Sequence, residues 1–523
     1  FDALTIALFG LLALVFVQFA PFTGAMVGAV DITTRQTSPY MEDQAQFQRS
    51  ENPLQTDQVD GIALAATFWR GIKSGEIRMW EPNLGTGVPL GGVLYTRVWS
   101  PFYWVGAIVP SASLSAYAVW LALWSAQSGA WFLARLLGIG RIGSILTGVA
   151  YGFSGPSTAL LLRINEIAIA PWVLAATHIA VTGRTRRSVA SICALAVSVT
   201  MLWLGGFPAA SLFTIYGAGA IALGTALVEF GPRIRKVAKG LAPVAAGIAA
   251  GTLLVAPLIL PSFEFLSASE SLDRSYSSDH AAGLEMFGSA VSGRILGTYP
   301  EGTWWWPDTG YSNPVSASAT VGGVALLLLL IGATATRRIR PPERAARIVG
   351  RVYLPLGAVV FIGTFVGGPI LAALQKLPFL GSNELGRSRF LLSLSLALAA
   401  GLVLDGLVRP ETESRTLGKT FRILSAGAVA AAGLGSYLII RRATELGFLD
   451  RAIDGLLIPL ITMTVAALAV GAILLLARSR GWQILPVAVV VIALAVELQW
   501  GAWEFTPVVD QDEGFFPAHP GFE

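Results

Sequence analysis

The feature that most limits what this chain can become is a train of apolar stretches, each close to the length of a bilayer crossing. They fall at 3–30, 112–134, 143–162, 167–182, 189–204, 208–229, 242–262, 316–335, 352–373, 390–408, 423–440, 455–477 and 483–502. A helix needs about 20 apolar residues to cross the hydrocarbon core. Thirteen such stretches predict an all-α polytopic membrane protein with about 13 transmembrane helices. Composition agrees: 13% of residues are charged, against about 25% in soluble domains. That excludes a water-soluble enzyme and a disordered chain. Continuous apolar runs also exclude an outer-membrane barrel, whose strands alternate apolar and polar residues.

Charge orients the helices. With the N-terminus inside and the spans alternating, the inside segments with their flanking helix ends hold 21 Lys/Arg and 6 Asp/Glu, and the outside segments hold 15 and 26. Short inside loops such as Gly183-Arg-Thr-Arg-Arg187 and Arg337-Arg-Ile-Arg340 fit the positive-inside rule. The formal net charge of +4 therefore hides a strong polarity, and the basic clusters serve orientation and anionic lipid rather than nucleic acid. Thirteen spans put the C-terminus outside. The single Cys193 excludes an internal disulfide framework, and His178, His280 and His519 show no metal-ligand spacing.

Two outside loops are long, 31–111 and 262–317, and long loops are where binding and catalysis concentrate. The first holds eight acids: Asp31, Glu42, Asp43, Glu51, Asp57, Asp60, Glu76 and Glu81. Within it, 58–73 has Val59, Ile62, Ala63, Ala66, Trp69 and Ile72 at helical spacing. This predicts an amphipathic helix capped at Thr56 or Asp57 and, with Phe68 and Trp69, lying in the membrane interface. Gly75-Glu-Ile-Arg-Met-Trp-Glu-Pro-Asn-Leu-Gly-Thr-Gly-Val-Pro-Leu90 reads as an ordered, turn-rich loop. Trp99-Ser-Pro-Phe-Tyr-Trp104 reads as an aromatic cluster at headgroup depth. On local sequence alone, Asp57 is as well explained by helix capping as by chemistry.

Asn52-Pro-Leu-Gln-Thr-Asp57, the helix after it, Gly75-Glu-Ile-Arg-Met-Trp-Glu-Pro-Asn83 and Gly87-Val-Pro-Leu90 resemble the first extracytoplasmic loop of bacterial YfhO-type membrane proteins. Arg78 stands where that pattern usually has Pro, and Glu81 where it usually has Asn. Tyr151-Gly-Phe-Ser-Gly155, Ala170-Pro-Trp172, Gly205-Gly-Phe-Pro208, Leu260-Pro-Ser-Phe-Glu264 with 267–271, and Leu385-Gly-Arg-Ser-Arg389 with 402–407 are similar to further motifs of the family, in the same order. The resemblance implies a GT-C-like bundle over 1–503, and a following extracytoplasmic domain beginning at 504–523. It implies a glycosyltransferase that moves a sugar from a polyprenyl-phosphate donor to a glycan or lipid acceptor of the cell envelope, at the outer face of the bacterial cytoplasmic membrane.

That chemistry needs a carboxylate near the acceptor hydroxyl as general base and a cation for the departing phosphate. Asp57 and Asp60 are the expected catalytic pair; they would share proton transfer or hold a divalent cation such as Mg or Mn. Arg387 and Arg389, at the outer start of a span, are the expected donor-phosphate ligands, with snorkelling as the plainer explanation. Asp43, Trp80, Asn83, Tyr95, Glu264 and His280 are expected to contact substrate, with Arg274 beside Glu264 and His280 on the acceptor side. Arg163 and Glu166 are expected to form an ordinary ion pair, and Trp304-Trp-Trp306 to anchor at the interface. Two alternatives stand beside transfer: a flippase of lipid-linked sugar, and a non-catalytic subunit of a larger membrane complex. Absence of a clear internal repeat and of mid-span charges weighs against coupled transport.

Overall fold

The computed structural model describes residues 2–28, 56–82, 87–159, 164–183, 188–268, 281–297, 318–334, 339–409, 417–476, 483–503 and 508–509. Over these the chain is an all-α polytopic membrane bundle. Its helices are α1 (Asp2–Phe16), α2 (Thr56–Lys73), α3 (Leu114–Leu137), α4 (Arg141–Gly152), α5 (Ile164–Thr182), α6 (Ser188–Leu204), α7 (Pro208–Phe230), α8 (Ile234–Leu254) and α9 (Ala256–Ser267). They continue with α10 (Gly323–Thr334), α11 (Glu343–Val366), α12 (Gly368–Gln375), α13 (Arg389–Val408), α14 (Lys419–Leu446), α15 (Leu449–Leu475) and α16 (Ile484–Ala502).

Each of the thirteen expected stretches falls on a helix, but among the described residues eight helices are long and apolar enough to span a membrane. Five stretches fall short: α1, α4, α6 and α10 are only 15, 12, 17 and 12 residues long, and α3, though 24 residues long, is not apolar enough. The first stretch was expected to run through 3–30, yet α1 ends at Phe16 because Gln18 and Phe19 turn left-handed (φ 53° and 59°) and Pro21 follows. A short antiparallel pair follows, Met26 opposite Val509 and Val27 opposite Val508. The 143–162 stretch holds a shorter helix: α4 stops at Gly152, where the Ser154 hydroxyl donates to the Tyr151 carbonyl at 2.7 Å. Gly367 (φ 77°) separates α11 from α12.

Burial separates core helices from lipid-facing ones. In the span running 385–408, which contains α13, 94% of the apolar window is buried; in α8 and α14 the figure is 22%. So α13 is a central post and α8 and α14 present apolar side chains to lipid. Small residues allow the close approach. At the crossing of α4 and α13, a Cβ on Gly401 would collide with the Gly143 carbonyl, and Thr147 Oγ1 donates to the Ala397 carbonyl at 3.3 Å. Membrane helices associate through this kind of tight packing because lipid offers no hydrophobic driving force between them.

Candidate functional site

The periodicity of the first long loop predicts its helix, but the helix starts earlier, so the expected caps Thr56 and Asp57 stand within its first turn. α2 runs Thr56–Lys73 and carries Asp57 and Asp60 in its first turns; their side chains lie outside the described residues. Its aromatic face does not lie in the membrane interface as expected. Phe68 is fully buried and meets Trp99 edge-on at 4.8 Å, and Trp69 Nε1 donates to the Val98 carbonyl at 3.1 Å. Gly106 makes room for the indole: a Cβ there would stand 2.6 Å from Trp69 Cγ. The Trp99–Trp104 segment is likewise mostly internal, with Phe102 and Tyr103 buried and Trp104 exposed. The loop thus folds onto its own helix, fixing where the first turn of α2 stands.

After α2 the chain makes a compact turn. Glu81 and Val88 exchange backbone hydrogen bonds at 2.8 and 3.0 Å. Arg78 and Glu81 face each other: Arg78 Nη1 lies 3.6 Å from Glu81 Oε2, and its Nε bonds Glu76 at 3.0 Å. Trp80 is 55% exposed and packs over Gly87, so it is available to a ligand. Asp43 and Asn83 lie outside the described residues.

The residue that sequence reading missed is Arg97. It is 4% exposed and has a left-handed backbone, φ 60°. Its guanidinium reaches α2, where a Cβ on Gly61 would be 4.0 Å from Nη1; Gly61 follows Asp57 by one helical turn. On the other side Arg97 packs on Gly206, whose φ of 91° and contact with the Arg97 side chain both require glycine. Gly205 is required as well, since a Cβ there would sit 2.5 Å from Glu166 Oε1. Glu166, fully buried at the start of α5, accepts from the Phe207 backbone N–H at 2.5 Å, and Asn165 Nδ2 donates to the Gly205 carbonyl at 3.4 Å. Arg163, its expected partner, lies outside the described residues. Burial pushes the Tyr103 hydroxyl above its usual range, with Arg97 opposing the shift and Glu166 adding to it. The Gly205-Gly-Phe-Pro208 turn is therefore the joint between α5, α7 and the Arg97 loop.

Arg387 completes this end. Its guanidinium lies 5.2 Å from the Phe207 ring centroid and its Nε 3.5 Å from Glu384 Oε2. Arg389, two residues on, is buried and turned inward, donating from Nε to the Ser318 carbonyl at 2.5 Å and from Nη1 to the Gly386 carbonyl at 3.0 Å. It pins the approach to α10 onto the head of α13 and does not snorkel to a lipid surface.

Beside Phe207 opens an apolar cavity of about 150 Å³. Its walls are Phe207 just before α7, Leu212 from α7, Phe263 and Leu266 from α9, and Phe379 from the loop after α12; Tyr95, Ser262, Ser382 and Asn383 supply its polar atoms. The first long loop meets α9 here, the Leu94 N–H donating to Ser262 Oγ at 2.8 Å, while Phe263 and Phe379 pack at 5.3 Å. Tyr95 is among the residues that line this cavity. Glu264 is exposed and outside the lining; Arg274, His280 and Trp304–Trp306 lie outside the described residues. Among the described residues no three His, Cys, Asp or Glu gather as a metal set. The arrangement offers buried and half-buried cations, an acid-bearing helix and an apolar recess within one end of the bundle. Such a combination suits a molecule with an anionic head and a hydrocarbon tail.

No family model matches this chain, and no curated protein sequence matches it. Among solved structures, the crystal structure of ArnT from Cupriavidus metallidurans bound to undecaprenyl phosphate is similar, with 15% identity, 96% of this chain and 76% of that chain covered, and a TM-score of 0.45. At that identity and score the likeness assigns this chain no activity.

Proposed function

We propose that the protein is a GT-C-like membrane glycosyltransferase of the bacterial cytoplasmic membrane, with its N-terminus inside and C-terminus outside. It moves a sugar from a polyprenyl-phosphate donor to a cell-envelope acceptor. The observation that carries this reading is the position of Arg97: its guanidinium lies against Gly61, one turn beyond Asp57, and the same loop contributes Tyr95 to the apolar cavity. In this reading the cavity takes the first part of the polyprenyl chain. Arg97 and Arg387 face the phosphate, and Asp57 or Asp60 removes the proton from the acceptor hydroxyl. The acceptor oxygen then bonds to the anomeric carbon as the bond from that carbon to the phosphate oxygen breaks. Polyprenyl phosphate leaves with the bonding pair, its new charge offset by the guanidinium groups.

The test is transfer of radiolabelled sugar from a polyprenyl-phosphate donor in proteoliposomes, with lipid scrambling measured alongside. Asp57→Asn keeps size and most capping capacity but removes the base. Transfer should fall by about 10²–10⁴-fold while expression and donor binding persist. A helix cap alone would cost about 0.5–2 kcal/mol of stability and leave transfer intact, in which case Asp60 or Asp43 becomes the base. Scrambling without transfer would replace this reading with a flippase, and neither activity would favour a non-catalytic subunit.

A further inference from the structure

The end of the bundle opposite the cavity carries a charged patch that transfer chemistry does not use. α8 begins there: Arg233 stands just before it and Arg235, Lys236 and Lys239 in its first turns, all exposed, with no acid in the first turn. Three other cations toward this end have acids: Arg344 pairs with Glu229 at 2.8 Å, Arg409 with Asp405 at 3.0 Å and Arg141 with Asp2 at 3.9 Å, while Arg135 and Arg422 donate to the carbonyls of Ile139 and Ala333. Among the described residues no ion pair or hydrogen bond engages the side chains of the four α8 cations, and the nearby Glu229 is already taken by Arg344.

Left to itself this arrangement is unfavourable. Arg235 and Lys239 stand four residues apart, and Lys236 and Lys239 three apart, so like charges face each other along one side of the helix. They also sit at the positive end of the helix dipole, which repels cations. An external anion reverses both terms. What surrounds the patch specifies the kind of anion. Ile234, in its midst, is 83% exposed, and only 22% of the α8 apolar window is buried, so acyl chains flank the charges.

We propose that Arg233, Arg235, Lys236 and Lys239 form a headgroup site for anionic phospholipid of the adjoining leaflet, with acyl chains lying along α8. The site needs a phosphodiester and a diacyl tail together; a soluble phosphate lacks the tail and should compete weakly. The inference does not depend on the transfer reading, and its test needs no transfer.

The full chain is reconstituted in nanodiscs of phosphatidylcholine containing graded phosphatidylglycerol. Retained lipid is counted by native mass spectrometry and the thermal midpoint is followed. Phosphatidylglycerol should be retained and should raise the midpoint, and added salt should erase the rise. Each cation removed among Arg233→Gln, Arg235→Gln, Lys236→Gln and Lys239→Gln should weaken apparent phosphatidylglycerol affinity roughly fivefold. Arg233→Lys with Arg235→Lys should preserve it, and so should the control Arg441→Gln with Arg442→Gln, whose cations already bond Glu445. If the quadruple variant inserts correctly and retains phosphatidylglycerol like the unmodified protein, the patch serves only to orient the chain and the proposal fails. If the quadruple variant does not insert, the single variants decide by the same readout. Equal protection by inorganic phosphate and by phosphatidylglycerol would also overturn it.

Discussion

Two buried carboxylates at the same end of the bundle make the same backbone contact for different ends. Glu166, from α5, accepts the N–H of Phe207 just before α7. Glu497, from α16, accepts the N–H groups of Gly323 and Val324 at the start of α10, the latter at 3.2 Å. In both cases a neighbouring helix supplies the cap that the receiving helix lacks, since no side chain of its own satisfies its first N–H groups. Around Glu497, both oxygens serve the backbone, and Met463, Leu494 and Leu498 close in so tightly that Gly322 and Gly323 have no room for a Cβ. Around Glu166 stand Arg97, Tyr103 and a ring, Phe207, that carries Arg387 on one face and borders the cavity. One carboxylate is consumed by folding. The other fixes a turn on which the cations of the proposed site depend.

Among the residues of this comparison, the largest expected effect falls on the cation between Glu166 and α2. If Arg97 stabilises the departing phosphate, Arg97→Gln should reduce transfer by about 10²–10³-fold, as loss of one preorganised donor does elsewhere. Circular dichroism and thermal unfolding should show the helices intact. Transfer within a factor of a few of normal would make Arg97 a packing residue and place the two carboxylates on an equal, structural footing.

How much of this was legible beforehand differs between fold and site. Helix positions were legible because apolar length and α2's spacing are local properties. The ends of α1 and α4 were not, because left-handed residues at Gln18 and Phe19 and the Ser154 turn interrupt sequence that is still apolar. At the site, the Gly205-Gly-Phe-Pro208 motif was visible, but its meaning required knowing that Glu166 and Arg97 press on its two glycines. Arg97 gave no periodic signal; the one hint was a single cation within the aromatic stretch Tyr95–Trp104. Arg387 and Arg389 looked equivalent in sequence, and only packing distinguishes them.

The two carboxylates themselves should separate under the same substitution. Glu497→Gln replaces one acceptor oxygen with a donor facing a buried N–H, so the protein should lose about 1–3 kcal/mol of stability, with transfer per folded molecule unchanged. Glu166→Gln can keep its carbonyl on Phe207, so stability should hold, but the lost charge releases the Arg97 loop. Misplacement by about 1 Å can cost up to about 100-fold, and a fall in kcat greater than any rise in acceptor KM is the expected pattern. Equal loss of stability in both variants, with transfer unaffected in both, would erase the distinction.

The smallest effect distinguishes the two arginines at the head of α13. Arg389 donates to two backbone carbonyls inside the protein, so Arg389→Ala leaves buried acceptors without partners and should appear as instability. Arg387 has a side chain 25% exposed, held by Glu384 and by the Phe207 ring. Such contacts contribute only about 0.5–1 kcal/mol at partly exposed positions, so Arg387→Ala should fold normally. A charge-assisted hydrogen bond to a bound phosphate is larger, about 1.5–3 kcal/mol, so donor KM should rise about tenfold with kcat nearly constant. The split between KM and kcat is the informative part: a contact made equally to bound donor and transition state changes KM alone. If kcat falls and KM stays, Arg387 meets the phosphate only as it departs, and the role assigned to Arg97 belongs to Arg387. If neither changes, the cavity does not hold a phosphate beside Phe207, and the site must be sought nearer the first turn of α2.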